Sequence, residues 1–443
     1  FNFLKSQTTD IKYENWTYDS EIKSIQLNVN GIIQSIPVLR LNSSDIMTLE
    51  FDEVGSETDN EFYYKIIHCD KTWQPSSIQP IEYIDGFEEE RIRDWQLSID
   101  TKLEFVHYWQ TIPSRDTKIK ISGNYILLVY NKNNENSPLF TRRFIVSEDL
   151  VYANARWNRP TDTEFIRFKQ QLFLEFTTKN LRLLNGMRDV KVDIIQNGDW
   201  KNAMTNVAPR NLNNGLFSFD SYGLINFWGT NEYRSFDTRT LRGRGIGVRK
   251  IENFIDGYDV YLYQNRLKEN SVYSFTFDFN GKFYIDNIDL FDRILFDQST
   301  ATANQLGSFR NSFAYFDETN KDWQAKEKEI RSDYANIIFT LETDKLDRDV
   351  YVYGSFTDFQ LKPEYKMKYD DKRGMYVSEA LLKQGYYDYL FAQPSKDGRP
   401  DFRITEGTWQ DTENEYKIIV YLSEFGARYD RVIGVVNRNS IDF

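Results

Sequence analysis

Short apolar stretches cut by turn residues recur along almost the whole chain, and this pattern constrains the fold more than any other feature. Between residues 22 and 147 they read "SIQLNV", "IPVLRL", "IMTLEFDEV", "FYYKIIH", "LEFVHYWQTI", "NYILLVYN" and "TRRFIVSE". Several alternate apolar with polar residues, as a strand with one wet face must. Aromatic residues make up 16 % of the sequence, mostly Phe and Tyr, and these suit pleated, half-buried strands. No apolar run nears the roughly 18 residues that a membrane-spanning helix needs. The predicted fold is therefore all-β, a multi-domain chain of antiparallel β-sandwiches of the immunoglobulin-like or E-set kind.

The spacing predicts three units. Residues 1–147 form an N-terminal immunoglobulin-like sandwich with a long loop over 68–100. Residues 148–333 form a central β-rich domain carrying "LFLEFT", "VKVDIIQNGDW", "LFSFD", "EYRSFDTRTL", "YDVYLYQN" and "YSFTFDFNGKFYID", with an irregular excursion at about 287–333. Residues 334–443 form a C-terminal sandwich resembling E-set and glycogen-binding modules. In "FNGKF" at 279–283, Asn280-Gly281 tolerates the positive φ of a type I′ turn, which predicts a hairpin.

Net charge is −12, so polyanions such as nucleic acid or acidic lipid are disfavoured partners. The basic runs are short. "LRGRGIGVRK" at 241–250 reads as a solvated hairpin surface; Arg244 within it is a candidate grip on an acidic protein partner. The Gly-rich part of that run lacks the ending and setting of a phosphate loop. Cys69 is the single cysteine, which excludes an internal disulfide, a CxxC motif and a zinc knuckle. His68 and His107 are the only histidines. His68 and Cys69 are adjacent, so in a strand they point to opposite faces and cannot act as a dyad. Asp278 and Asn280 lack the further acids that a local calcium loop needs. The acids at 88–90 and 94 single out no catalytic pair. No catalytic, metal or cofactor site is predicted, and the chain reads as a non-enzyme.

The stretch from His68 to Trp95, "HCDKTWQPSSIQPIEYIDGFEEERIRDW", leaves one predicted strand and returns on another. It is too long for a simple hairpin. Trp73, Tyr83, Phe87 and Trp95 are candidates for folding it over the sandwich or for touching a partner. Pro75 and Pro80 restrict it, and Gly86 permits a reversal. Arg91 and Arg93 are expected to pair with Glu82 or Asp94. In "NEYRSFDTR", Glu232, Arg234, Asp237 and Arg239 are expected to form an internal ion network, with partner contact through Arg234 as the alternative. In the C-terminal unit, "YVYGSFTDFQ" and "KQGYYDYLF" are similar to a glycogen-binding sandwich, with Phe359 where its stacking Trp is expected. Phe359 and Trp409 are the candidate glycan-stacking rings.

Taken in order, the 68–114 stretch, "IIQNGDW" at 194–200, "TNEYRSFDTRTLR" at 230–242, "FTFDFNGKFYI" at 275–285, "GSFTDFQ" and "KQGYYDYLF" resemble the Plug protein family of the type IX secretion system. The resemblance spans about residues 20 to 435. It implies a periplasmic chain with its signal peptide removed, in line with a first residue, Phe1, that is not an initiator Met. It implies a protein partner, the inner opening of the SprA-type outer-membrane β-barrel translocon. The implied task is to block that opening when no cargo occupies it. It implies no catalytic residues, no cofactor, no nucleic acid and no membrane insertion. A glycan-binding protein and a secretion scaffold remain the alternatives.

Overall fold

Alternation becomes architecture first in the N-terminal region. In the computed structural model, which describes residues 10–132, 137–179, 181, 183, 185–219, 223–269, 271–289 and 327–441, the strands Met47–Val54 and Phe62–Cys69 bury every second side chain along most of their length. One sheet runs Trp16–Thr17, Pro138–Ser147, Gly123–Asn131, Phe62–Cys69, Glu89–Arg91, with Val38–Arg40 parallel to Pro138–Ser147. The facing sheet runs Ile32–Ile33, Ile22–Val29, Met47–Val54, Phe105–Ile112, Asp94–Leu97. Between them lies an aromatic core in which Phe51 stacks on Tyr108 at 5.1 Å and meets Phe140 edge-on at the same distance. The predicted strands of this region are all present.

The strand Gly123–Asn131, "GNYILLVYN", breaks the alternation and is buried on both faces. A continuous apolar run in a strand means two covered faces. One face joins the core just described. The other puts Ile126 into a cluster with Ile195, Ile419, Tyr421 and Val432 from a second sandwich.

That second sandwich does not follow the predicted boundaries. One of its sheets holds Val151–Asn158, Lys169–Thr178, Asn211–Asn213, Leu216–Ser218 and Asn226–Trp228. The other runs Met204–Val207, Val190–Gln196, Glu415–Leu422, Arg431–Asn439. Its last two strands thus come from the stretch assigned to the C-terminal unit. The third sandwich lies within this unit in the chain order. Arg234–Asp237 and Phe283–Ile285 pair with Gly385–Pro394. The opposing sheet runs Val248–Asn253, Tyr258–Leu262, Tyr334–Glu342, Met375–Lys383, Lys368–Asp370. The division at 333/334 is therefore corrected: the chain leaves the second sandwich after Trp228, builds the third, and returns at Glu415. Patterning identifies a strand and its buried face, but strands of equal period carry no label for their partner. Most of the expected excursion, 290–326 with "FDQSTATANQLGSFRNS", lies outside the described residues; a helical turn occupies 327–331.

The predicted hairpin at "FNGKF" is half present. Asn280 and Gly281 have φ of +55° and +80°, and Lys282 N–H donates to Phe279 O. Only the outgoing arm, Phe283–Ile285, is a strand. Buried carboxylates take the amides around the turn instead: Asp278 accepts from Tyr233 N and Asn280 N, and Asp388 accepts from Phe279 N and Gly281 N. A Cβ on Gly281 would lie 2.6 Å from the Tyr233 ring, so the turn is also sterically specific.

Candidate functional site

Two groups suited to chemistry, His68 and Cys69, are buried in different surroundings. His68 Nδ1 bonds Ser76 Oγ at 2.8 Å and its ring packs on Tyr83, Tyr125 and Tyr429. Burial holds its pKa down at about 4, so it is neutral at ordinary pH. Cys69 lies across the sheet in the cluster between the first two sandwiches, and burial pushes its thiol up to about 12. A thiol so protonated is a poor nucleophile. His107 Nδ1 bonds the buried Asp52 carboxylate at 2.7 Å.

The long loop is structured by pairing in both sheets. Pro80–Tyr83 is a helical turn; Glu89–Arg91 joins the strand Phe62–Cys69, and Asp94–Leu97 joins Phe105–Ile112. The loop thereby crosses from one sheet to the other. Ile84–Gly86 pairs with Thr117–Ile119, and a Cβ on Gly86, at φ +113°, would overlap Asp116 O at 1.8 Å. Trp73 is buried, at φ +64°, edge-on to Trp200 of the second sandwich at 5.1 Å. The Arg143 guanidinium lies 4.3 Å over Trp73 and 4.9 Å over Trp200. Trp73 is therefore a joint between sandwiches, and Tyr83 is a core ring beside His68. Trp95 is partly exposed on an edge strand. Phe87 and Ile81 point outward, whereas Tyr83, between them on the same loop, is buried. The expected ion pairs are replaced: Arg91 meets Glu61 at 3.1 Å, and Glu82 bonds Arg428 of the second sandwich.

Arg234 is nearly buried and pairs through Nη2 with the fully buried Glu406 at 2.9 Å; Nη1 donates to Asn265 Oδ1, and Nη2 also donates to Arg266 O. Arg239 pairs with Asp237 at 2.6 Å. Both arginines pair internally, but Glu232 joins neither pair and bonds Tyr273 Oη and Glu413 N instead. Arg244 is exposed on the turn before Val248–Asn253, with Arg242, Ile246, Arg249 and Lys250. The same hairpin carries Ile255 at its tip, 98 % exposed. Phe359 is a correction. It is buried against Tyr353 at 5.8 Å in a small core with Leu390 and Phe402, so its ring offers no face to a sugar. The Phe that replaces the expected Trp fills a core. Trp409 is half-buried beside Tyr273 and is not part of that core.

Sequence reasoning missed one surface. Val272, Phe275 and Phe277 are 90 %, 59 % and 69 % exposed, and among the described residues the main chain of 272–277 finds no main-chain partner. Unpaired backbone with outward apolar side chains is a surface suited to accepting a partner strand. Its strand-like composition had marked it as already paired.

The joints complete the geometry. The first sandwich meets the third at Asp52, which accepts from Lys383 Nζ at 2.6 Å, Tyr334 Oη at 2.7 Å and His107; both Asp52 and Lys383 are fully buried. Burial opposes charge on Asp52, but the Lys383 ammonium and the His107 bond outweigh it and hold its pKa below the ordinary value. Arg142 meets Asp358 of the third sandwich at 2.9 Å. Tyr353 Oη donates to Asp199 between third and second.

The fold and these joints define a class: a chain of antiparallel β-sandwiches locked by buried contacts. Residues 22–148, which are the first sandwich, match the family model of the type 9 secretion system plug protein 1st domain. That match, over the first sandwich, is to the family that the motifs of the chain resemble. The chain is also similar to a hypothetical protein from Parabacteroides merdae known from a crystal structure. The TM-score is 0.85 and the identity 28 %, covering 97 % of this chain and 100 % of that one. No curated protein matches.

Proposed function

We propose that the protein is a non-enzymatic periplasmic plug that binds the inner opening of the SprA-type translocon and seals it when no cargo is present. The observation that carries this reading is the match of the first sandwich to the plug family, on a body whose three units are fastened by buried contacts. A wide barrel leaks unless something stiff fills or covers its mouth. Two features support stiffness. Each joint buries charge or aromatic surface that would be exposed, at considerable cost, if the units swung apart. The second and third sandwiches are also connected by two chain crossings instead of one. The contact surface is supplied by the exposed strip at 272–277 and the basic hairpin around Arg244.

The test is conductance of the reconstituted barrel. Adding the protein should reduce the current through a cargo-free barrel. Phe275→Glu with Phe277→Glu should weaken that block while leaving the fold intact. Association without any change in current would instead identify a scaffold, and absence of association would refute the assignment.

A further inference from the structure

The two crossings between the second and third sandwiches bring together acids that are remote in sequence. Glu232 lies on the outgoing crossing, Glu413 on the returning one, and Asp278 just before the turn at Asn280-Gly281. One carboxylate oxygen from each of Glu232, Asp278 and Glu413 lies within 4.8 Å of the others. Oxygens sharing one Ca2+ at roughly 2.4 Å can be up to about 4.8 Å apart, so a single ion can span this set.

Acidic clusters are common, and two further observations distinguish this one. Glu232 is 2 % exposed; its Oε1 accepts from Tyr273 Oη and Glu413 N, but its Oε2 is buried without a donor. Asn280 is also buried, and its Nδ2 donates to Glu413 Oε2 at 2.9 Å while its Oδ1 has no partner. Turning the amide over would place its oxygen against the carboxylate, so the bond to Glu413 orients that oxygen. A buried anionic oxygen and a buried amide oxygen, both unpaired, are costly unless a cation satisfies them. Lys268 is the nearby ammonium, but it donates to the Glu232 main-chain oxygen, at 3.3 Å.

We propose that Glu232, Asp278, Glu413 and the Asn280 amide oxygen form a divalent-cation site of the calcium type, which clamps the two crossings together. The ligands are all hard oxygens, and their irregular arrangement suits Ca2+ better than the strict octahedron of Mg2+. Local spacing around Asp278 did not reveal the site because its other acids come from distant parts of the chain. The proposal is independent of the plug reading.

The test uses the full chain after EDTA treatment. Tb3+ should bind saturably, with emission sensitised by excitation of the neighbouring Tyr273 and Trp409, and Ca2+ should displace it. Ca2+ should also raise the Tm. Glu232→Gln and Asn280→Gly should each weaken binding about tenfold or more, whereas the exposed Glu88→Gln should leave it unchanged. Asn280→Gly suits the positive φ of that position, so it serves if Glu232→Gln does not fold. Absence of displaceable Tb3+ emission, or wild-type affinity in Glu232→Gln and Asn280→Gly, overturns the site.

Discussion

The first sandwich is held to its neighbours by two joints of different kinds. Toward the second sandwich the joint has an apolar and aromatic centre, Ile126, Ile145, Ile195, Ile419 and Tyr421 with Arg143 between Trp73 and Trp200, and its ion pairs, such as Glu82–Arg428, are more exposed. Toward the third it is ionic, with Asp52 and Lys383 in contact and no access to water. An apolar joint gains from area and tolerates small misfits. A buried ion pair gains little over an apolar replacement, but it penalises any arrangement that separates its partners. The first kind supplies adhesion; the second supplies orientation.

The largest predicted effect breaks the ionic joint. Lys383→Met leaves Asp52 buried without its ammonium and should lower unfolding stability by about 3–5 kcal/mol in denaturant titration. Adding Asp52→Asn should restore much of that loss. Equal destabilisation of the single and double variants would mean that packing, not charge, dominates there. At the aromatic joint, Trp73→Ala should cost about 3 kcal/mol. Trp73→Gly should cost about 1 kcal/mol less than Trp73→Ala, because the left-handed φ is then unstrained. An Ala variant more stable than the Gly variant would show that the backbone there is relaxed.

Acidity separates the joints further. Asp52 has a folded pKa below its unfolded value. Its contribution is therefore present above about pH 4 and is lost as the pH falls through the folded pKa. Asp193 and Asp199, in or beside the second sandwich's buried sheet, are raised by burial to about 7 and about 6. For them the sign reverses: the folded state takes up protons first, so stability rises as the pH falls from about 8 toward about 4. His68, held down at about 4, offsets part of this gain below about pH 6.5. Stability should thus peak in mild acid. Asp193→Asn should remove on the order of 2 kcal/mol of the rise between pH 8 and 5, as read from unfolding curves at each pH. The smallest effect belongs to the surface strip: Phe275→Glu should change stability by no more than about 0.5 kcal/mol, in contrast to every joint residue.

How much of this was legible follows from what each signal encodes. The strands of the first sandwich were readable because "MTLEFDEV" and "FYYKIIHC" alternate, and that alternation records one buried face. The fully apolar "YILLVY" recorded two covered faces without saying what covered the second. Nothing in "EYKIIVYL" distinguishes a strand of the third sandwich from one that returns to Val190–Gln196. The internal pairing of Asp237 with Arg239 was readable from proximity, whereas Glu406 as the partner of Arg234 was not. Phe359 misled because a motif position was read as a surface position; its φ of +51° turns the ring into the small core instead.

The insertion of one sandwich within another has a consequence for how the polypeptide matures. During synthesis, Val190–Gln196 emerges long before Glu415–Leu422, which must lie beside it. Until then its apolar edge is an open template for aggregation or for capture by a holdase. The strands Glu415–Leu422 and Arg431–Asn439 therefore act as the latch of the second sandwich, and clipping them should be more damaging than nicking an exposed hairpin tip.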